Sequence, residues 1–160
     1  VAAGRQEEAL KLYRRAIEAD PNMYEAYNNL GGQLLAMGKA ADAEPVLRFA
    51  VSMEGSEPQL LFNLGLAIRG VGRGPEGVPL MRSALRLDPK NKDYYWELAR
   101  TYNFGGERGL ALSSLDAMTR TLRTGWDGIT APPDEYIHER SPYRDFYTRG
   151  KKGAGGGGGA

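Results

Sequence analysis

The stretch YNNLGGQLLAMGKAADAEPVL, residues 27–47, decides the fold. Tyr27, Leu30, Gly31 and Leu34 fall at i, i+3, i+4 and i+7, the spacing that puts side chains on one face of an α-helix. That face runs for about three turns, halts at Gly38, and resumes with Ala43, Leu47 and Ala50. A glycine at such a break ends a helix in the left-handed conformation, which Gly adopts at little cost. The second helix then folds back on the first. The small residues Gly31, Ala43 and Ala50 let the two backbones approach. A large residue at one of them is expected to force the helices apart, at a cost of ~1–3 kcal/mol.

The same register returns every 34 residues. Leu30-Gly31 becomes Leu64-Gly65 and then Leu98-Ala99. Ala16 becomes Ala50 and Ala84. Asp20-Pro21 becomes Glu54-Gly55 and Asp88-Pro89, and the Asp-Pro pairs stop one helix and turn the chain into the next repeat. Gly4, Gly38, Gly72 and Gly106 share a position, as do Ala9, Ala43, Gly77 and Ala111. Several unrelated residue types keeping one spacing without insertion identify a repeat protein.

In outline the motif is Tyr27-x2-Leu30-Gly31-x2-Leu34, Leu61-x2-Leu64-Gly65-x2-Ile68 and Tyr95-x2-Leu98-Ala99-x2-Tyr102. The second halves read Ala9-x3-Tyr13, Ala43-x3-Leu47, Gly77-x3-Met81 and Ala111-x3-Leu115. This pattern resembles the tetratricopeptide repeat (W-x2-L-G-x2-Y, then A-x3-F, then P) over roughly residues 4–125. It departs from the family at Gly55, where Pro is favoured, at Ala99 in place of Gly, and at Leu61, where an aromatic is usual. The resemblance implies an all-α solenoid of antiparallel helix pairs. The expected organisation is a half repeat at 1–23, full repeats at 24–57, 58–91 and 92–125, a closing helical segment at 126–149 and a Gly-rich tail at 150–160.

The prolines Pro45 and Pro79 are 34 apart, early in the second helices. A helix starting near Asp42, and another near Glu76, would place each at the edge of a first turn, where its missing N–H matters least. A kink or a late start would also accommodate them. The stretch Gly70-Val71-Gly72-Arg73-Gly74-Pro75 has the lowest helix propensity and is expected to be the softest turn. Gly4 aligns with the mid-repeat turns, so the chain is expected to open mid-repeat, with upstream sequence missing and a helix from about Arg5 to Ala19 showing an uncovered apolar face. At the other end, Asp134 to Arg140 and Pro142 to Arg149 read as short helices, with Asp134 and Ser141 as N-caps. Tyr136, Ile137, Tyr143, Phe146 and Tyr147 would cover the last apolar face. The run from Gly153 to Ala160 reads as a linker or tail.

Composition narrows the function. Lys plus Arg number 21 and Asp plus Glu 20, a net charge of +1 that gives no global attraction to nucleic acid or an anionic membrane. No segment has the ~18 apolar residues of a membrane span. The chain has no cysteine, which removes thiol-ligated metals and leaves the compartment open, with the cytoplasm favoured. His138 stands alone among Asp134, Glu135 and Glu139, too few ligands for a metal site and no second His for one. Ser113-Ser114 lie on a helix without a base in register. The Gly70–Gly74 run follows a helix and lacks the Lys-Ser/Thr of a phosphate loop. Asp127-Gly128 reads as a turn, and Arg149-Lys151-Lys152 as a solvated helix end. No cofactor and no catalytic residue is expected.

Stacked helix pairs form a concave surface that binds extended peptides or helices, and in tetratricopeptide proteins the first helix of each pair lines it. The candidates beside the core stripe are Glu25, Asn28, Asn29, Gly32 and Leu35, then Gln59, Phe62, Asn63, Leu66 and Arg69, then Asp93, Trp96, Glu97, Arg100, Asn103 and Phe104. Amides bond a ligand's backbone, and aromatics supply contact area at low entropic cost. Asn29 and Asn63, 34 apart, are expected to stack, which resembles the asparagine ladder of O-linked N-acetylglucosamine transferases, although Glu97 breaks it. Repeats that clamp a chaperone's C-terminal carboxylate need Lys and Arg where this chain has Asn28, Gly32, Asp93 and Glu97, and the two acids would repel that ligand. The expected function is a non-catalytic scaffold or adaptor with a protein or peptide partner. The alternative is the substrate-recognition arm of a larger enzyme. A structural subunit using its convex face is a third reading.

Overall fold

The computed structural model describes residues 2–124. Among them are seven helices and no strand: α1 (Ala2–Ala19), α2 (Tyr24–Ala36), α3 (Ala40–Met53), α4 (Pro58–Gly70), α5 (Gly74–Leu87), α6 (Lys92–Phe104) and α7 (Arg108–Thr124). The first helices of the pairs start at 24, 58 and 92, and the second helices at 40, 74 and 108, each set in steps of 34. The expected closing helices, with His138 and the Arg149-Lys151-Lys152 cluster, lie outside the described residues.

The mid-repeat turns are closed by one device used three times. Gly38, Gly72 and Gly106 have φ of 74°, 86° and 78°. The next residue's N–H reaches back over the turn, from Lys39 to Leu34 O at 2.8 Å, from Arg73 to Ile68 O at 3.0 Å and from Glu107 to Tyr102 O at 2.8 Å. These bonds satisfy carbonyls that the helix end would leave open. A three-residue turn leaves the following helix no course except back along the first. The turns between repeats use a carboxylate instead. Asp20 Oδ1 accepts from the Asn22 N–H at 3.0 Å, and Glu54 Oε1 from the Ser56 N–H at 3.1 Å. Those Ser56 hydrogen bonds hold the Glu54 carboxyl below its ordinary range. Glu54-Gly55 therefore replaces Asp-Pro without loss of the turn.

The chain divides into two compact units, Val1–Leu87 and Asp88–Ala160. In the first, α2 packs on α3, α4 on α5, and α1, α2, α3 and α4 pack in succession. Its core includes Leu10, Leu30, Leu34, Leu47, Leu60, Leu64 and Ile68. The small residues sit where the pairs are tightest. A Cβ on Gly31 would drive into the Leu47 side chain, and one on Gly65 would lie 3.0 Å from the Gly77 carbonyl. In the second unit α6 packs on α7, burying Tyr95, Leu98, Ala99, Leu110, Ala111 and Ala117. Ser113 and Ser114 are buried too, each hydroxyl donating to a carbonyl one turn back, Gly109 O at 2.8 Å and Leu110 O at 2.9 Å.

Two local expectations are corrected, on the prolines and on Gly4. Helices α3 and α5 start at Ala40 and Gly74, two residues earlier than the prolines suggest, so Pro45 and Pro79 lie inside the helices. The Lys39 carbonyl sets the earlier start by accepting from Ala43 N–H at 3.0 Å. The carbonyls that each proline leaves without an i+4 donor belong to Ala41 and Pro75, both exposed residues. Of the glycine stretch 70–75, only Val71, Gly72 and Arg73 are non-helical. Gly70 is a packing position, since a Cβ there would lie 2.5 Å from that of Ala40. Finally, Gly4 is helical within α1, whereas Gly38, Gly72 and Gly106 stand at helix ends with positive φ. Leu12 of α1 is 57% exposed.

Candidate functional site: the first-helix face and an apolar recess

The candidate residues are positioned by α2 and α4 in the first unit and by α6 in the second. On α2, Asn28 and Gly32 are half-buried while Glu25 and Asn29 are exposed. On α4, Gln59 is exposed, Asn63, Leu66 and Arg69 are half-buried, and Phe62 is buried at 7% exposure. The contact between the two helices is an amide pair. Asn63 Nδ2 donates to Asn28 Oδ1 at 2.9 Å. Asn28, not Asn29, is therefore the partner of Asn63. Residues in phase on two parallel helices point the same way and do not face each other, so the contact comes from the residue one step round α2.

This pair leaves one oxygen, Asn63 Oδ1, and one amide, Asn28 Nδ2, without a bond among the described residues. The two together offer an acceptor and a donor, which is what a peptide unit requires. Gly32 stands beside them with no side chain. A Cβ there would lie 3.7 Å from Asn63 Nδ2.

On α6, taken by itself, Trp96 is 51% and Phe104 76% exposed, with Asp93, Arg100 and Asn103 also exposed. Glu97 is half-buried and accepts from Arg100 Nη1 at 2.8 Å, so the acid expected to repel an anionic ligand is already paired.

Sequence reasoning did not find the apolar recess of about 480 Å³ on the other flank of α2. It is lined by Tyr27 and Leu30 of α2, Ile17 of α1, and Val46 and Phe49 of α3. The Tyr27 and Phe49 rings meet at 5.0 Å between centroids, tilted by 59°. The one signal in the sequence is Phe49, which stands where the neighbouring repeats have Arg15 and Ser83.

Two family models match the chain, one described as TPR repeat over residues 1–38 and one as Tetratricopeptide repeat over residues 33–92. The chain belongs to the tetratricopeptide-repeat family. Solved structures with the same fold include the MamA fragment 41-end from Desulfovibrio magneticus RS-1, at 23% identity, TM-score 0.69, covering 79% of this chain and 71% of that one. Another, MamA, is 22% identical with a TM-score of 0.67 and covers 96% of this chain and 88% of its own. No curated protein matches the sequence. Tetratricopeptide repeats are protein-interaction scaffolds, and this chain has their architecture. Among the described residues no helix is long and apolar enough to cross a membrane, and no group of three or more His, Asp or Glu is placed to hold a metal ion.

Proposed function

We propose that this tetratricopeptide protein is a non-catalytic interaction module that binds an extended peptide or a helix on the face of its first helices. The observation that supports the reading is the Asn28–Asn63 pair, with its unused acceptor and donor side by side on α2 and α4. A peptide lying across these helices satisfies both atoms with one backbone N–H and one C=O. Asn29 and Gln59, both exposed, flank the pair and extend the amide surface. Gly32 keeps the approach open. On α6, taken by itself, the exposed Trp96 offers an aromatic anchor, since aromatic rings dominate contact energy in such interfaces. A charged partner gains little here, because the face carries amides more than unpaired charge.

The test is affinity capture of partners from lysate on wild-type protein, followed by titration of the captured peptide against variants. Asn63→Ala should weaken binding about 5- to 30-fold, the equivalent of roughly 1–2 kcal/mol for lost and unpaired polar groups. Asn28→Ala should do the same, and the double variant should cost little more than either, since the pair acts as a unit. Retention of every partner by Asn63→Ala and Trp96→Ala together would refute this face as the binding surface.

A further inference from the structure

The exposed aromatics do not follow the repeat. Phe104, 76% exposed at the last position of α6, occupies the register filled by Ala36 and Gly70 in the earlier repeats. The packing of a helix pair therefore has no need of a large side chain there. Phe49, 51% exposed, likewise replaces Arg15 and Ser83, and with Tyr27 it lines the recess described above. One departure thus gives a projecting ring, and the other lines an open apolar recess of about 480 Å³.

The charges next to each feature are complementary. Arg14 and Glu18 line the recess, and neither has an ion pair among the described residues. Glu107 and Arg108 follow Phe104 after the glycine turn, and they are unpaired in the same sense. At the register of Glu107 the earlier repeats carry Lys39 and Arg73, each of which reaches back to an acid, Glu7 for Lys39 and Glu44 for Arg73. The reversal of sign at Glu107 leaves it available to a cation such as Arg14.

We propose that Phe104 of one copy seats in the α1/α2/α3 recess of a second copy, with Glu107 and Arg108 meeting Arg14 and Glu18. Two different surfaces meet in this contact, so a copy bound through its ring still carries its recess, and the reverse. Such a heterologous contact links copies through two different patches, and association rises with concentration. The recess lining includes none of Asn28, Asn63 and Gly32, so a substitution at Phe49 or Pro45 leaves the amide pair in place.

Sedimentation velocity on the full 160-residue chain over a wide concentration range tests this. The wild type should show a weight-average sedimentation coefficient that rises with concentration. Phe104→Ser, which removes the ring, should weaken association at least tenfold. Phe49→Asp, which places a carboxylate in the recess, should do likewise. Pro45→Glu charges the exposed rim of the same recess and replaces a proline inside a helix, so it tests the recess without endangering the fold. Circular dichroism should show wild-type helicity for each variant used. The decisive arm mixes Phe104→Ser, whose recess is intact, with Pro45→Glu, whose ring is intact. Together they should form a discrete one-to-one complex that grows no further. A wild type that stays monomeric throughout, single variants that associate as the wild type does, or a mixture that stays monomeric would each overturn the proposal.

Discussion

The closest packing in this chain is decided by single atoms at glycines. Gly65 and Gly77 hold α4 and α5 so near that a Cβ on Gly77 would lie 2.5 Å from the Gly65 carbonyl oxygen, and backbone cannot yield as a side chain can. Gly77→Ala gains about 1 kcal/mol of helix propensity but incurs an overpacking cost of about 1–3 kcal/mol or more. The clash wins, and urea unfolding should show a loss of roughly 1–2 kcal/mol. Gly32→Ala meets nothing closer than 3.7 Å, so there propensity wins and the same measurement should show a gain of about 0.5–1 kcal/mol. Opposite signs from one substitution type would separate close approach from conformational freedom. Tyrosines at equivalent positions divide by burial in a similar way. Tyr95 is fully buried, donates to Pro89 O at 2.9 Å and lies 3.2 Å from Thr121 Oγ1, which can donate to it. Tyr27 makes the same bond, to Pro21 O at 3.1 Å, in a solvated setting. Tyr95→Phe should cost about 1–2 kcal/mol by leaving Thr121 and the carbonyl short of a partner, whereas Tyr27→Phe should cost only a few tenths in the same melts, as water takes over the bond.

Between elements the question is what ties one hairpin to the next. Glu44 of α3 answers for the middle of the first unit, since it accepts from Arg48 Nη2 at 2.8 Å and pairs with Arg73 in the turn before α5. The Arg48 hydrogen bond, then that of Arg73, hold its carboxyl below the ordinary 4.5, against a desolvation that raises it. A carboxylate with a depressed folded-state pKa contributes stability that is present above its unfolded pKa and is lost as pH falls through the folded value. Both arginines are half in solvent, so screening keeps the effect small. Glu44→Gln should cost ~0.5–1 kcal/mol at pH 7 in denaturant melts, and its difference from wild type should shrink as pH falls below about 4.5. An equal difference at pH 7 and pH 3 would show that the ion pair contributes nothing. The sequence made the hairpins legible because Gly38, Gly72 and Gly106 and the Leu-Gly stripes report the same 34-residue step independently. It did not reveal that Asn28 meets Asn63, because a period states which residues are equivalent and says nothing of which one faces its neighbour. The starts of α3 and α5 were hidden for another reason. A proline signals a local cost, while the helix boundary follows from the carbonyls of Lys39 and Arg73. The recess escaped as well, since it is lined from α1, α2 and α3 together, and Phe49, its one departure from the repeat, does not say which helices it stands between.

For the whole molecule, stability should be graded along the chain because each helix answers mainly to its neighbours. In the first unit α4 buries seven residues and packs on α2, α3 and α5. Helix α1 packs on α2, sends Leu10 into the core and leaves Leu12 in solvent. Amide exchange should therefore be slowest in α4 and fastest, within this unit, in α1. Leu10→Ala sharpens the contrast. In a single cooperative core, truncating a leucine that is 3% exposed costs about 2–5 kcal/mol and lowers protection everywhere. In a stack of neighbours the same loss falls on the interface of α1 with α2, and α1 can detach before the rest unfolds. Exchange measured by mass spectrometry should show α1 losing protection while α4 and α5 keep theirs. A uniform loss across α1 to α5 would mean that the first unit behaves as one globular core, and the energetic independence expected of a repeat array would have to be given up for it.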